Sequence, residues 1–345
     1  MRRILLLLLP LLASCGGGGD GTTATPASSS GGTPTQASAA TPAPALAQAA
    51  TPAPTASDFF ARASAMYVVQ PDIAGCVPGE HSQELQAQLL KSMNDIRALH
   101  HLPAVTYSKA DEPAALAAAL MMAANGALDH MPPATWRCFS DLGALGARTS
   151  NLAGGVISPF ISFRSNDDYL RDFLTDVNNG IADNVGHRRW MLDPFLTTFA
   201  FGRVAGRVNG NDGGDAVALK VIGTSSALPA PSMLPRFVAY PYEEYPERLF
   251  DPAALLSFGV IADPTSRFGN AGVDYSKAVI EVRQRASAAL PISRIKYDTE
   301  GYGLPNNLQF SAAGIKPGVV YDVSISNVMI GGVPSNYAYY FKIGS

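Results

Sequence analysis

The residues of this chain best suited to chemistry are its five histidines, because an imidazole can act as acid, base or metal ligand near neutral pH. His81 stands beside a helix start, and His100 and His101 stand at a helix end, where an imidazolium complements the dipole. Those three read as surface or capping residues. His130 follows an alanine-rich helix in 126-GALDHMPP-133, where a loop lifts it to a surface. His187 opens a short helix in 185-VGHRRWMLDP-194, which Pro194 ends. Two histidines at helix edges can meet in a cleft, and neutral imidazole is the commonest side-chain metal ligand. His130 and His187 are therefore a candidate site for a divalent metal, Zn2+ foremost. No HExxH, GxSxG or phosphate-binding glycine loop stands in the chain, which removes the simpler enzyme assignments.

Three cysteines remain to be placed. Arg2 and Arg3, the apolar run 4–12 and the small residues Ala13 and Ser14 form an export signal, too short to span a bilayer. Leu12-Ala13-Ser14-Cys15 resembles a bacterial lipobox, so Cys15 is expected to carry lipid and to anchor the chain in a membrane. Cys76 and Cys138 are then one pair in an oxidising compartment, and a disulfide is their natural use. Residues 15–57 are nearly all Gly, Ser, Thr, Ala, Pro and Gln, a composition that cannot offset its ordering entropy and reads as a tether. The formal net charge is −3, and no basic block survives removal of the signal, so nucleic acid is an unsupported partner.

The elements that must position the histidines follow from spacing. Leu85, Leu89, Met93, Ile96 and His100 recur at three- and four-residue spacing and make one stripe on a helix that Ser82 caps. Asp111 and Pro113 open an alanine-rich helix that stops at Gly126. Ser165 opens a third helix over 165–180, burying Tyr169, Leu170, Phe173, Leu174 and Val177. Segments 199–208 and 215–223 read as strands joined by 209-NGNDGG-214. Beyond about 229 the chain alternates as strands do, at 279–285, 321–326 and 337–343. This predicts an α+β protein: a mixed domain over 58–228 and a small β-sandwich over 229–345.

The order of landmarks resembles the CAP superfamily of cysteine-rich secretory, antigen 5 and pathogenesis-related proteins. They are Asn94 and Arg97, then His130, 150-SNLAGG-155, 169-YLRD-172, and 186-GHRRWMLDP-194 with Phe201-Gly202. The last motif resembles the bacterial branch ending in GHRRW, and the β-rich tail resembles an immunoglobulin-like module. The resemblance covers about residues 80–225. It implies an α-β-α sandwich with a cleft holding two histidines and two glutamates, where the histidine pair can bind a divalent metal. His130 and His187 match the histidines. One glutamate position falls at Ser150, before the cleft residue Asn151, and the other at Asp172, which keeps a charge on a shorter arm and is a further candidate ligand. The carboxylate missing at Ser150 argues against complete hydrolytic machinery. The expected function is a lipid-anchored envelope protein that binds a ligand, a protein or a glycan in the cleft. A metal-assisted peptidase or other hydrolase, and a lipid or sterol carrier, are the alternatives.

Overall fold

The computed structural model describes residues 56–344; the signal, Cys15 and the tether up to residue 55 lie outside the described residues. The first region contains α1 (Ala56–Ser64), β1 (Tyr67–Val69), β2 (Glu80–His81), α2 (Gln83–Ala98), β3 (Thr106–Tyr107) and α3 (Glu112–Asn125). It continues with α4 (Asp141–Arg148), β4 (Ser150–Ser158), α5 (Asn166–Thr175), α6 (Gly186–Met191), β5 (Thr198–Asn209) and β6 (Asp212–Lys220). No described helix is long and apolar enough to cross a membrane.

One sheet, in the order β3-β5-β6-β4, organises this region. Side chains alternate along β5 and β6, so their two faces build two cores. Phe199, Phe201, Val217 and Leu219 pack with Leu85, Leu89 and Met93 of α2 and with Tyr169 and Phe173 of α5. Val204, Val208, Ala216 and Ala218 pack with the alanines of α3. The result is an α-β-α sandwich, and the expected fold class holds. Small residues set the closeness of the second interface. A Cβ on Gly202 would stand 2.1 Å from the backbone carbon of Ala115, and one on Gly146 of α4 would stand 2.0 Å from Ala114 O. Glycine is required at both points because backbone meets backbone.

The caps anticipated for α2 and α5 are present. Ser82 Oγ accepts from Leu85 N–H, and Ser165 and Asp168 form a reciprocal capping box. Helix α5 stops at Thr175 rather than near residue 180, because Asp176 takes a left-handed conformation at φ 57°. Val177 therefore lies beyond the helix. Cys76 and Cys138 are joined, tying the segment before α2 to the loop after α3. Helices α1 and α4 and strand β4 were not anticipated.

The C-terminal region contains β7 (Phe237–Tyr240), β8 (Glu243–Pro246), β9 (Leu256–Val260), β10 (Val273–Asp274), β11 (Val279–Gln284) and β12 (Ile292–Asp298). Three more strands complete it: β13 (Asn307–Ala312), β14 (Val320–Ile330) and β15 (Val333–Gly344). They form a sheet β12-β13-β9-β7 and a second sheet β10-β14-β15-β8, with β11 also on β14; only β15 and β8 pair in parallel. Alternate residues of β14 and β15, among them Tyr321, Val323, Tyr339 and Phe341, face Phe258 and Phe310 of the other sheet. Phe258 stacks on Tyr339 at 6.2 Å and meets Tyr337 edge-on at 5.3 Å. Two sheets packed through aromatic inner faces make the all-β region a sandwich. Both regions belong to one compact unit.

Candidate functional site

The junction between α4 and β4 is where the two candidate histidines attach. His130 Nδ1 donates to Ala147 O at 2.8 Å, in the last turn of α4. Four residues on, the buried side chain of Asn151 donates to His187 O at 3.0 Å. A pair of histidines 57 positions apart in sequence is thus held by a single short stretch of chain. His130 is exposed, and the His187 side chain retains 22% of its surface.

The protonation pattern of both rings follows from their partners. His187 Nδ1 lies 2.8 Å from Asp176 Oδ1, and a carboxylate, like the Ala147 carbonyl, can only accept. Each ring therefore carries its proton on Nδ1, and each Nε2 presents a lone pair in the neutral ring. Among the described residues neither Nε2 has a hydrogen-bond partner. An imidazole oriented through Nδ1 with Nε2 free is the state that ligates a metal or accepts a proton.

The acid beside His187 is Asp176, a residue not singled out from the sequence. Its side chain is fully buried, with Oδ1 accepting from His187 and from Asn179 Nδ2, and Oδ2 accepting from Arg188 N–H at 3.1 Å. Reading the helix through to Gly180 had placed Asp176 inside it. The left-handed turn, which Asp tolerates better than most residues, instead aims its carboxylate back at α6. Asp172 is engaged elsewhere, 2.6 Å from the Arg164 guanidinium. Ser150 is buried, pairs with Lys220 across β4 and β6, and leaves its hydroxyl without a partner.

His81 and His100 are corrections to the surface reading. His81 is buried, with Nδ1 3.2 Å from Glu112 Oε1 and Nε2 3.1 Å from Arg203 O. His100 is buried against the C-terminal region, donating from Nδ1 to Ala239 O at 2.7 Å while Tyr245 Oη donates to Nε2. The stripe spacing of α2 carries His100 toward the core, but the partners of both rings come from distant segments that local sequence does not show. His101 stays exposed and meets Glu243.

The other landmarks scaffold the site. Asn94 bonds both backbone groups of Val105. The buried Arg97 donates to the carbonyls of Pro103, Met191, Asp193 and Leu196, fixing the chain after α6. Burial of Arg97 lowers its pKa to about 10, so it stays charged at neutral pH.

Residues 90–217 match the family model described as CAP: Cysteine-rich secretory protein family. The match covers somewhat more than a third of the chain, opening within α2 and closing within β6. It includes both histidines, Asn151 and Asp176. No curated protein matches the chain.

The donor set of the matched region defines what a metal could find there. Among the described residues no group of three His, Cys, Asp or Glu side chains is placed to hold one ion. Two free Nε2 atoms do not fit a closed structural zinc, nor a catalytic zinc with three protein ligands.

Proposed function

We propose that this protein is an exported, lipid-anchored binding protein whose CAP region captures a ligand at His130 and His187, together with a divalent cation. The observation that carries the reading is the shared state of the two rings. Both are anchored through Nδ1, both have Nε2 free, and both are attached to the α4–β4 junction. The cation would supply positive charge and vacant positions for an anionic or carbonyl group of the ligand. The CAP match supports a secreted ligand-binding protein in general terms. The bacterial GHRRW character, the lipid on Cys15 and an immunoglobulin-like C-terminal module belong to the same proposal.

A hydrolase is the second reading, and the Asp176–His187 pair favours it. A carboxylate that orients an imidazole is half of an acyl-transfer machinery. Among the described residues no nucleophile is bonded to His187 Nε2, which keeps binding as the primary reading.

Calorimetric titration of Zn2+ into the mature protein tests the proposal. One binding event is expected, and it should vanish in the His130→Ala/His187→Ala double variant. Equal heats in the two proteins, or no binding by either, would overturn it.

A further inference from the structure

The motif that supplies His187 also reaches into the C-terminal region. The His187 side chain is partly exposed, whereas Arg188 is 1% exposed and Arg189 is buried. Arg188 Nε donates to Leu174 O at 2.5 Å, and Nη2 donates to Thr175 O at 2.7 Å. Those are the last two carbonyls of α5, immediately before Asp176. Nη1 donates to Leu255 O at 2.7 Å and to Ser257 Oγ at 3.1 Å, and the guanidinium lies 3.8 Å over the Tyr240 ring. One buried cation is thus shared equally between the turn that presents Asp176 and the strand region around β9. Among the described residues no carboxylate forms an ion pair with it. Its four acceptors are all neutral, and a buried guanidinium deprived of them pays a large desolvation cost.

We propose that Arg188 is a positioning residue through which the C-terminal β region sets the orientation of the Asp176–His187 pair. The proposal rests on reading His187 as a site residue and does not depend on any metal. The route is short. Acceptors at 255 and 257 fix the guanidinium; the guanidinium fixes the carbonyls of 174 and 175; Asp176, next in the chain, then receives His187 Nδ1–H on one oxygen and Arg188 N–H on the other. The docking is reinforced on the neighbouring residue. Arg189 pairs with Asp298 at 2.7 Å and donates to Glu300 O and Leu304 O. The loop carrying those carbonyls also places Tyr302 beside Gly186, where a Cβ would lie 3.7 Å from the ring. The C-terminal region is then a working part of the site rather than a spacer.

The test is nitrogen NMR on the full-length protein carrying 15N-histidine, with His187 assigned by loss of its signals in His187→Gln. In Ser257→Ala, which removes one hydroxyl some distance from the ring, the His187 Nδ1 resonance should move. Its Nδ1–H should exchange about fivefold to tenfold faster, as loss of a buried hydrogen bond allows. His130, held by Ala147 instead, should stay in place as the internal control. Arg188→Lys, which keeps the charge but loses the fork, should displace His187 further. If Arg188→Lys does not fold, Ser257→Ala and Tyr240→Leu decide. Folded variants whose His187 signals coincide with the wild type, or in which His130 moves as much as His187, would overturn the proposal.

Discussion

Acidification should loosen this protein through His100, and the size of the effect can be worked from its surroundings. His100 is buried between α2 and the C-terminal sheets, with Nδ1–H spent on Ala239 O and Nε2 accepting from Tyr245. Burial, outweighing the Ala239 hydrogen bond and reinforced by the nearby Arg188 and Arg97 cations, holds its pKa down to about 3. The unfolded chain titrates near 6.5. Below pH 6.5 the unfolded state binds a proton that the folded state refuses, so stability is lost progressively as the pH falls from about 6.5 to about 3. Each pH unit in that window costs about 1.4 kcal/mol, which amounts to about 3 kcal/mol between pH 7 and pH 4. Denaturant unfolding at several pH values, of the wild type and of His100→Asn, isolates this group because the other titrations cancel in the difference. The Asn variant should lose about 1–3 kcal/mol at pH 7, where Tyr245 is left without its acceptor. Toward pH 4 the difference should shift by about 3 kcal/mol in favour of the Asn variant, closing the gap or reversing its sign. A gap that does not change with pH would refute the assignment of His100 as a buried neutral imidazole.

Two other perturbations test the packing and the cross-link. Gly202→Ala forces a Cβ against the backbone of Ala115, so a loss of about 3 kcal/mol is expected by thermal or denaturant unfolding, and an unchanged midpoint would contradict the close α3–β5 contact. Cys76→Ala/Cys138→Ala opens a loop with a sequence separation of 62 and should cost about 4 kcal/mol by the loop-entropy relation; a loss below about 1 kcal/mol would show that the bridge does not constrain the unfolded chain.

Much of the scaffold was legible because local chemistry determines it. Ser82, Ser165 and Gly126 mark helix ends through bonds and backbone conformations confined to a few neighbouring residues. The cysteine pair followed from count and compartment. Helix α4 was hidden because Gly143 and Gly146 lower its propensity, and both glycines are explained only by the approach of α3. Strand β4 was hidden by Gly154 and Gly155, which take positive φ where the pairing with β6 slips register. In the site, the two histidines and Asn151 were legible as an ordered set. Asp176 was not, because its role depends on where α5 stops. Arg188 of 186-GHRRWMLDP-194 ties its short helix to the end of α5, but its other partners lie about 70 residues away around β9, a distance no local pattern encodes.

The central claim, that His130 and His187 form one binding site, is tested most directly by crystals of the mature protein soaked in Zn2+ and measured at the zinc absorption edge. The account predicts one anomalous peak within coordination distance of both Nε2 atoms, with Nδ1 of each ring still bonded to Ala147 O and to Asp176. A peak that contacts neither ring, or rings whose Nε2 atoms bind separate ions, would contradict it.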